Sequence, residues 1–283
     1  MKYVFFAAAM VLATTGFAQK VSNKLNFQKG QKLQMTVKIN SSLASAMGDT
    51  KVEATVTRIF DIQDAGSSST TIEHKIKRLQ FNVESAMGAQ TFDSENPKDM
   101  NSPNGKTIAK SIKNKYTMTI DAAGQVTAVK KDDDNPNTKD DAPGVDMMSN
   151  LLAQMSEGLK VPVPGDKTEF DILPAYEVGK GDSWTDSTTN RKTVYTVSDI
   201  TDNDILLTFT QDETIATKQT AMGMEINISS KDKTTGHITI DRKTGLLKEK
   251  TGDTDSEGTV DAMGQSMPMT KKISRIIQVS DSK

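Results

Sequence analysis

The chain has no cysteine, one tryptophan and two histidines. Without cysteine it has no disulfide, no thiolate metal site and no cysteine nucleophile. It also lacks the cysteine to which a lipid anchor would be attached after a leader. One Trp and four Tyr are too few for the aromatic girdles of an outer-membrane barrel. Beyond the first residues, no apolar run approaches the ~20 needed for a membrane helix. A dominant charge is missing too: 35 basic residues face 37 acidic ones, with no basic stripe to suit nucleic acid. Catalytic signatures are absent, including a Gly-x-Ser-x-Gly elbow, a Ser-x-x-Lys with its companion motifs, and a phosphate loop. The expectation is a protein that is not an enzyme, takes no cofactor and binds no nucleic acid.

What is present begins with an address. Lys2 is followed by the apolar run Val4–Gly16, then by Phe17-Ala18-Gln19. This order of basic start, short apolar stretch and small residues reads as a signal peptide over 1–19. The protein is therefore expected to be exported, either periplasmic or secreted, and not lipid-anchored. Removing the leader takes Lys2 with it and leaves a chain slightly more acidic than the full chain's −2. A chain of that length can bury a real core without disulfides.

The dominant period of the rest is two. Leu33, Met35, Val37 and Ile39 alternate with polar residues, as do Val52, Ala54, Val56, Phe60 and Ile62, with Arg58 the lone exception on that face. Such alternation predicts half-buried strands. Ile72, His74 and Ile76 alternate too, but the phase then flips to Leu79, Phe81 and Val83, which predicts a bulge or bend. Further strands are read at Tyr116–Ile120, Ile205–Phe209, Met222–Ile228, Ile238–Ile240 and Ile273–Val279. Outward faces rich in Thr, Lys and Ser suit antiparallel sheet with one wet side. One segment breaks the period. Val145, Met148, Leu151, Leu152, Met155 and Leu159 follow helical spacing, between an acidic loop and the Pro-rich stretch Val161-Pro-Val-Pro-Gly165.

Two stretches look like copies. Tyr116-Thr-Met-Thr-Ile-Asp121 leads to Gly124, and His237-Ile-Thr-Ile-Asp241 leads to Gly245. Each predicts a hairpin in which the Asp starts the turn and the Gly takes the left-handed position. Ala-Met-Gly occurs four times, at Ala46, Ala86, Ala221 and Ala262, each expected to mark a hairpin end or bulge. The predicted fold class is mainly β. Two similar antiparallel halves, 20–130 and 181–283, form a curved sheet or half-barrel and share one core. A linker over 131–180 joins them, with one amphipathic helix near 145–159.

The segment Leu159-Lys-Val-Pro-Val-Pro, followed by Val178-Gly-Lys-Gly181-Asp-Ser-Trp184, resembles a family of exported Bacteroidota proteins known only as a domain of unknown function. The resemblance implies a leader, a central helix-and-proline connector and a Gly-Asp-Ser-Trp step opening the second half. It carries over no catalytic residues. The architecture is also similar to periplasmic lipoprotein carriers, half-open barrels around acyl chains beneath a helical lid; this is likeness of fold only.

Chemistry-bearing residues are few. His74 and His237 both sit in strand patterns, where an ordinary strand histidine outweighs a base or metal ligand. Asp132-Asp-Asp-Asn-Pro-Asn137 lacks the Gly and Glu of a calcium loop. Paired methionines at Met222/Met224 and Met267/Met269 could hold Cu(I), but no His or Cys stands beside them, and core filling or an adaptable apolar pocket ranks higher. No metal ligand is therefore assigned. The pocket candidates are Met147, Met148, Leu151, Leu152 and Met155 on the helix, Met222 and Met224 on a strand, and Trp184. The leading expectation is an exported binding protein for an apolar or lipid-like ligand held between sheet and helix. The alternative is a structural or interaction module of the cell envelope with a protein partner.

Overall fold

Alternation becomes sheet where both neighbours of a strand can pair, and in this chain nearly every stretch finds two. The computed structural model describes residues 19–46, 48–86, 88–113, 115–131, 161–221, 224–262 and 264–282. Its strands are β1 (Lys20–Val21), β2 (Lys32–Ser45), β3 (Thr50–Ala65), β4 (Ser69–Ser85), β5 (Gly88–Asp93), β6 (Tyr116–Asp121), β7 (Val126–Lys131), β8 (Val178–Gly179), β9 (Ser183–Ser187), β10 (Arg191–Ile200), β11 (Asp204–Ala221), β12 (Met224–Asp241), β13 (Leu247–Ala262) and β14 (Gln265–Asp281). Two short helices, α1 (Pro97–Asn101) and α2 (Pro103–Ile112), lie between β5 and β6. The fold is mainly β, as its alternation requires. The expected helix near 145–159 lies outside the described residues, as does the expected leader up to Ala18.

Twelve strands form one antiparallel sheet in the order β7-β6-β4-β3-β2-β14-β13-β12-β11-β10-β9, with β5 also paired to β4. The N-terminal and C-terminal stretches meet along β2 and β14, from Leu33 opposite Asp281 to Ser45 opposite Met269. The phase flip is a bulge: Thr57 faces Arg78 and Arg58 faces Ile76, leaving Lys77 extra. All four Ala-Met-Gly sequences fall where one long strand ends and the next begins, at β2/β3, β4/β5, β11/β12 and β13/β14. Because the strands run antiparallel, these four junctions share one rim of the sheet.

The sheet is not closed into a barrel, but its two ends approach each other across residues 161–176. Gly165 N donates to Val126 O and Val126 N donates to Asp166 O, both at 2.8 Å. Lys167 bridges Gln125 beside β7, while its ammonium lies 3.3 Å from Asp186 on β9. One residue thus touches both ends of the strand path. The N-terminal segment ties in the two predicted hairpins. Asn23 Nδ2 donates to Ala123 O at 2.7 Å and Asp171 Oδ1 at 2.9 Å, and Asn26 N donates to Thr244 O at 2.8 Å.

One apolar cluster runs through this arrangement. It takes Leu33, Val37 and Ile39 from β2, Ile72 and Leu79 from β4, Ile205 and Leu207 from β11, Ile238 and Ile240 from β12, Ile108 from α2 and Phe170 from the connector. Each such fully buried side chain contributes roughly 1.5–3 kcal/mol. Outward positions of the same strands, such as Lys231, Lys233, Asp253, Asp255 and Glu257, are exposed and charged, the reverse of a transmembrane barrel's apolar outer band. No described helix is long and apolar enough to cross a membrane.

Candidate functional site

The inward face of the second half changes character along its strands. At its base, Leu207 pairs with Ile238, with Ile240, Leu247 and Ile277 buried nearby. Next come two glycines opposite each other, Gly236 and Gly252. The Phe209 ring lies across both, and a Cβ at Gly236 would strike that ring and the Thr251 carbonyl. Lys250 Nζ sits 5.0 Å from the centre of the same ring. Glycine inside a strand here serves a close approach by a large side chain.

Above the glycines the inward face is polar for two rows. Thr193, Gln211, Thr234 and Thr254 stand directly opposite one another across β10 to β13. Arg191, Glu213, Asp232, Ser256 and Lys271 do the same across β10 to β14. The rows are hydrogen-bonded along and between strands. Thr193 Oγ1 donates to Gln211 Oε1 at 3.1 Å, and Gln211 Nε2 donates to Glu213 Oε2 at 3.2 Å. The Thr234 and Thr254 hydroxyls are 2.8 Å apart. Asp232 is only 6 % exposed. Its Oδ1 accepts from Ser230 at 2.8 Å and Ser256 at 2.6 Å, and its Oδ2 lies 3.4 Å from Lys271 Nζ. Burying a carboxylate costs several kcal/mol unless it is paired and hydrogen-bonded, and here it is both. Beyond this belt the next row holds Ile215 and Met269 with Ser230 and Gly258 between them, and Ile228 pairs with Val260 in the row after it.

A second buried polar group lies under the first half. Arg58, the exception on its face, is 3 % exposed. It forms an ion pair with Glu169 of the connector and donates from Nη2 to Met35 Sδ at 2.8 Å. Burial alone would raise the Glu169 carboxyl, but the Arg58 guanidinium outweighs it and holds the group below the usual range. His74, 1 % exposed, stacks on Tyr116 at 4.6 Å and meets the Phe60 edge at 5.0 Å. Neither of its nitrogens has a hydrogen-bond partner. Burial, then the nearby Arg58 charge, depress its pKa to about 4. Burial likewise raises the Tyr116 phenol. His74 is thus a neutral core ring near pH 7, and no nucleophile is hydrogen-bonded to it. His237 is exposed on the outward side of β12, so the two histidines do not meet.

Of the expected pocket residues, Trp184 is on β9, partly buried, stacked on Tyr195 at 5.3 Å and packed against the main cluster. Met224 opens β12. Met147, Met148, Leu151, Leu152, Met155 and Met222 lie outside the described residues. Met267 and Met269 both lie on β14. Among the described residues, no group of three His, Asp or Glu is placed to hold a metal ion. Sequence reasoning missed Glu169 and the whole polar belt. The runs of Thr, Ser and Gly in 230–236 and 250–258 carry no alternation of apolar and polar that would have marked them as strands.

No curated protein matches the chain. Among solved structures, an outer membrane channel from Pseudomonas putida F1 is similar at 8% identity, over 91% of this chain and 98% of that one. Its TM-score of 0.27 is too low to transfer fold or function. A family of unknown function, DUF6263, matches residues 67–247. That stretch runs from the β3–β4 turn to the start of β13 and includes most of the polar belt. The chain belongs to this family.

Proposed function

We propose that the chain is an exported, non-enzymatic binding protein that holds a lipid-like ligand with a polar head against the inward face of β10–β14. The observation that carries this reading is the banding of that face. A hydrogen-bonded belt of Thr193, Gln211, Asp232, Ser256 and Lys271 lies between Leu207, Phe209 and Ile238 on one side and Ile215, Ile228, Val260 and Met269 on the other. A core built for packing alone gains more from aliphatic residues than from a buried ion pair. A wall that meets a ligand with an apolar body and a few polar atoms needs both kinds of surface. The leader-like N-terminus supports export.

Native mass spectrometry of protein purified from its host without detergent tests this. The expected result is an adduct that organic extraction removes and that Ser256→Val retains less well. A bare protein mass, with no uptake of a fluorescent fatty acid or phospholipid analogue, overturns it. A second reading, an envelope interaction module, is favoured by β9, which ends the strand path with one side unpaired by any described strand. Crosslinking through Ser183–Ser187 to an envelope protein would favour that reading instead.

A further inference from the structure

At the seam between the connector and β9–β10, the structure opens a cleft of about 190 Å³. Its walls are aromatic and charged. Trp184 and Tyr195 stand side by side with their rings nearly parallel, 19° apart, and both reach the cleft. Tyr176 stands at the mouth, 59 % exposed, an unusual cost for a ring that could be buried. Asp171, Asp186 and Lys167 line the same space.

We infer that this cleft binds one ring of a neutral saccharide, with the Trp184–Tyr195 pair and Tyr176 as apolar surfaces and Asp171, Asp186 and Lys167 as hydroxyl partners. Charge argues for this class. A free anion meets two carboxylates. A free cation meets Lys167, whose ammonium already occupies one carboxylate at 3.3 Å. A polyol is neutral, and each hydroxyl both donates and accepts, so it can use carboxylate and ammonium together. Its C–H faces can lie on aromatic rings. Asp171 takes a hydrogen bond from Asn23 at 2.9 Å, and a carboxylate has room for further donors. Burial, with Asp121 and Asp186 nearby, makes it hold its proton more readily than an ordinary carboxyl; an added hydroxyl donor would relieve that. The volume equals about six waters of liquid, the space of a single sugar ring rather than a chain. The cleft lies at the seam and needs no occupant of the polar belt, so this inference stands or falls apart from the lipid-like ligand.

Trp184 is the only tryptophan, so its emission reports on this cleft without interference. The full chain is titrated with methyl β-D-glucoside, methyl β-D-galactoside and N-acetyl-D-glucosamine, with tetramethylammonium chloride and sodium phosphate as charged probes. The expected result is a saturable change in emission with at least one sugar and none with the charged probes. Tyr176→Ala, at an exposed position, should weaken that sugar roughly tenfold, the size of one lost ring contact. Asp171→Asn should weaken it as well, while the unfolding midpoint of Tyr176→Ala stays unchanged. No saturable response to any of the sugars overturns the inference. So does a response of equal size to tetramethylammonium or phosphate, or a sugar affinity that Tyr176→Ala leaves intact.

Discussion

Arg58 shows how much a single inward charge constrains its surroundings. It is carried on a face otherwise made of Val52, Ala54, Val56, Phe60 and Ile62, and a buried guanidinium without a partner is strongly destabilising. The partner comes from 111 residues away, Glu169 on the connector. Glu169→Gln should therefore cost about 2 kcal/mol, less than a fully buried pair because Glu169 keeps some contact with water. Adding Arg58→Met should recover most of it, and urea denaturation of the unaltered chain and the two variants measures both steps. His74 makes a second prediction. Its pKa falls from 6.5 to about 4 on folding, so between these values the unfolded chain binds a proton that the folded chain refuses. Stability is full above pH 6.5 and declines toward pH 4 by about 3 kcal/mol. Glu169, held below its ordinary value by Arg58 against the opposing effect of burial, adds a further loss once the pH drops below the usual carboxylate range. His74→Phe should flatten the pH 4–6.5 limb in denaturation curves and leave the lower limb in place. Arg58 was visible in the sequence as a break in the alternation. Glu169 was not, because the connector has no period against which a charge could stand out.

Turns and strands differed in how openly the sequence declared them. The Asp-to-Gly hairpins were legible because their chemistry is local. Asp121 Oδ1 accepts from the Ala123 and Gln125 amides, and Asp241 Oδ1 from the Lys243 and Thr244 amides. Gly124 and Gly245 adopt φ of 94° and 71°, as the left-handed position requires. Their difference from other turn glycines was hidden, because it depends on the N-terminal segment packed over them. A Cβ at Gly245 would collide with the Lys24 carbonyl, whereas one at Gly264, also at positive φ, meets open space. Gly245→Ala should thus destabilise by about 3 kcal/mol and Gly264→Ala by about 1 kcal/mol, a contrast that thermal melts would show directly. β13 was missed for the opposite reason. Its inward residues are Lys250, Gly252, Thr254, Ser256 and Gly258, so the hydrophobic period that identifies a strand is absent where the face is polar. The feature that concealed the strand is the same one that marks the candidate ligand wall. α1 and α2 escaped notice because a five-residue and a ten-residue helix offer too few apolar repeats, although Asn96 caps the first by accepting from the Lys98 amide.

The strand order makes the two ends of the chain its structural centre. β2 and β14 pair over Leu33–Ser45 and Met269–Asp281, joining a run of strands that ends at β7 to one that ends at β9. The expected halves, 20–130 and 181–283, each reach the other through this pairing, through residues 161–176 and through the segment that touches both hairpins. The family match over 67–247 leaves out β2, β3 and β14 and nearly all of β13. Its own strands would form two separate groups, β4-β5-β6-β7 and β9-β10-β11-β12, with β4 and β12 each deprived of a neighbour. Unpaired inner edges of this length expose backbone donors and buried-face side chains together. A fragment of residues 67–247 should accordingly show no cooperative thermal transition and should aggregate, while residues 20–283 melt in a single step. Amide exchange in the longer chain should be slowest along β2 and β14, because opening that pairing separates both groups at once. A fragment that melts cooperatively would show that the contacts of the connector and hairpins, without the central pair, are enough to hold the sheet.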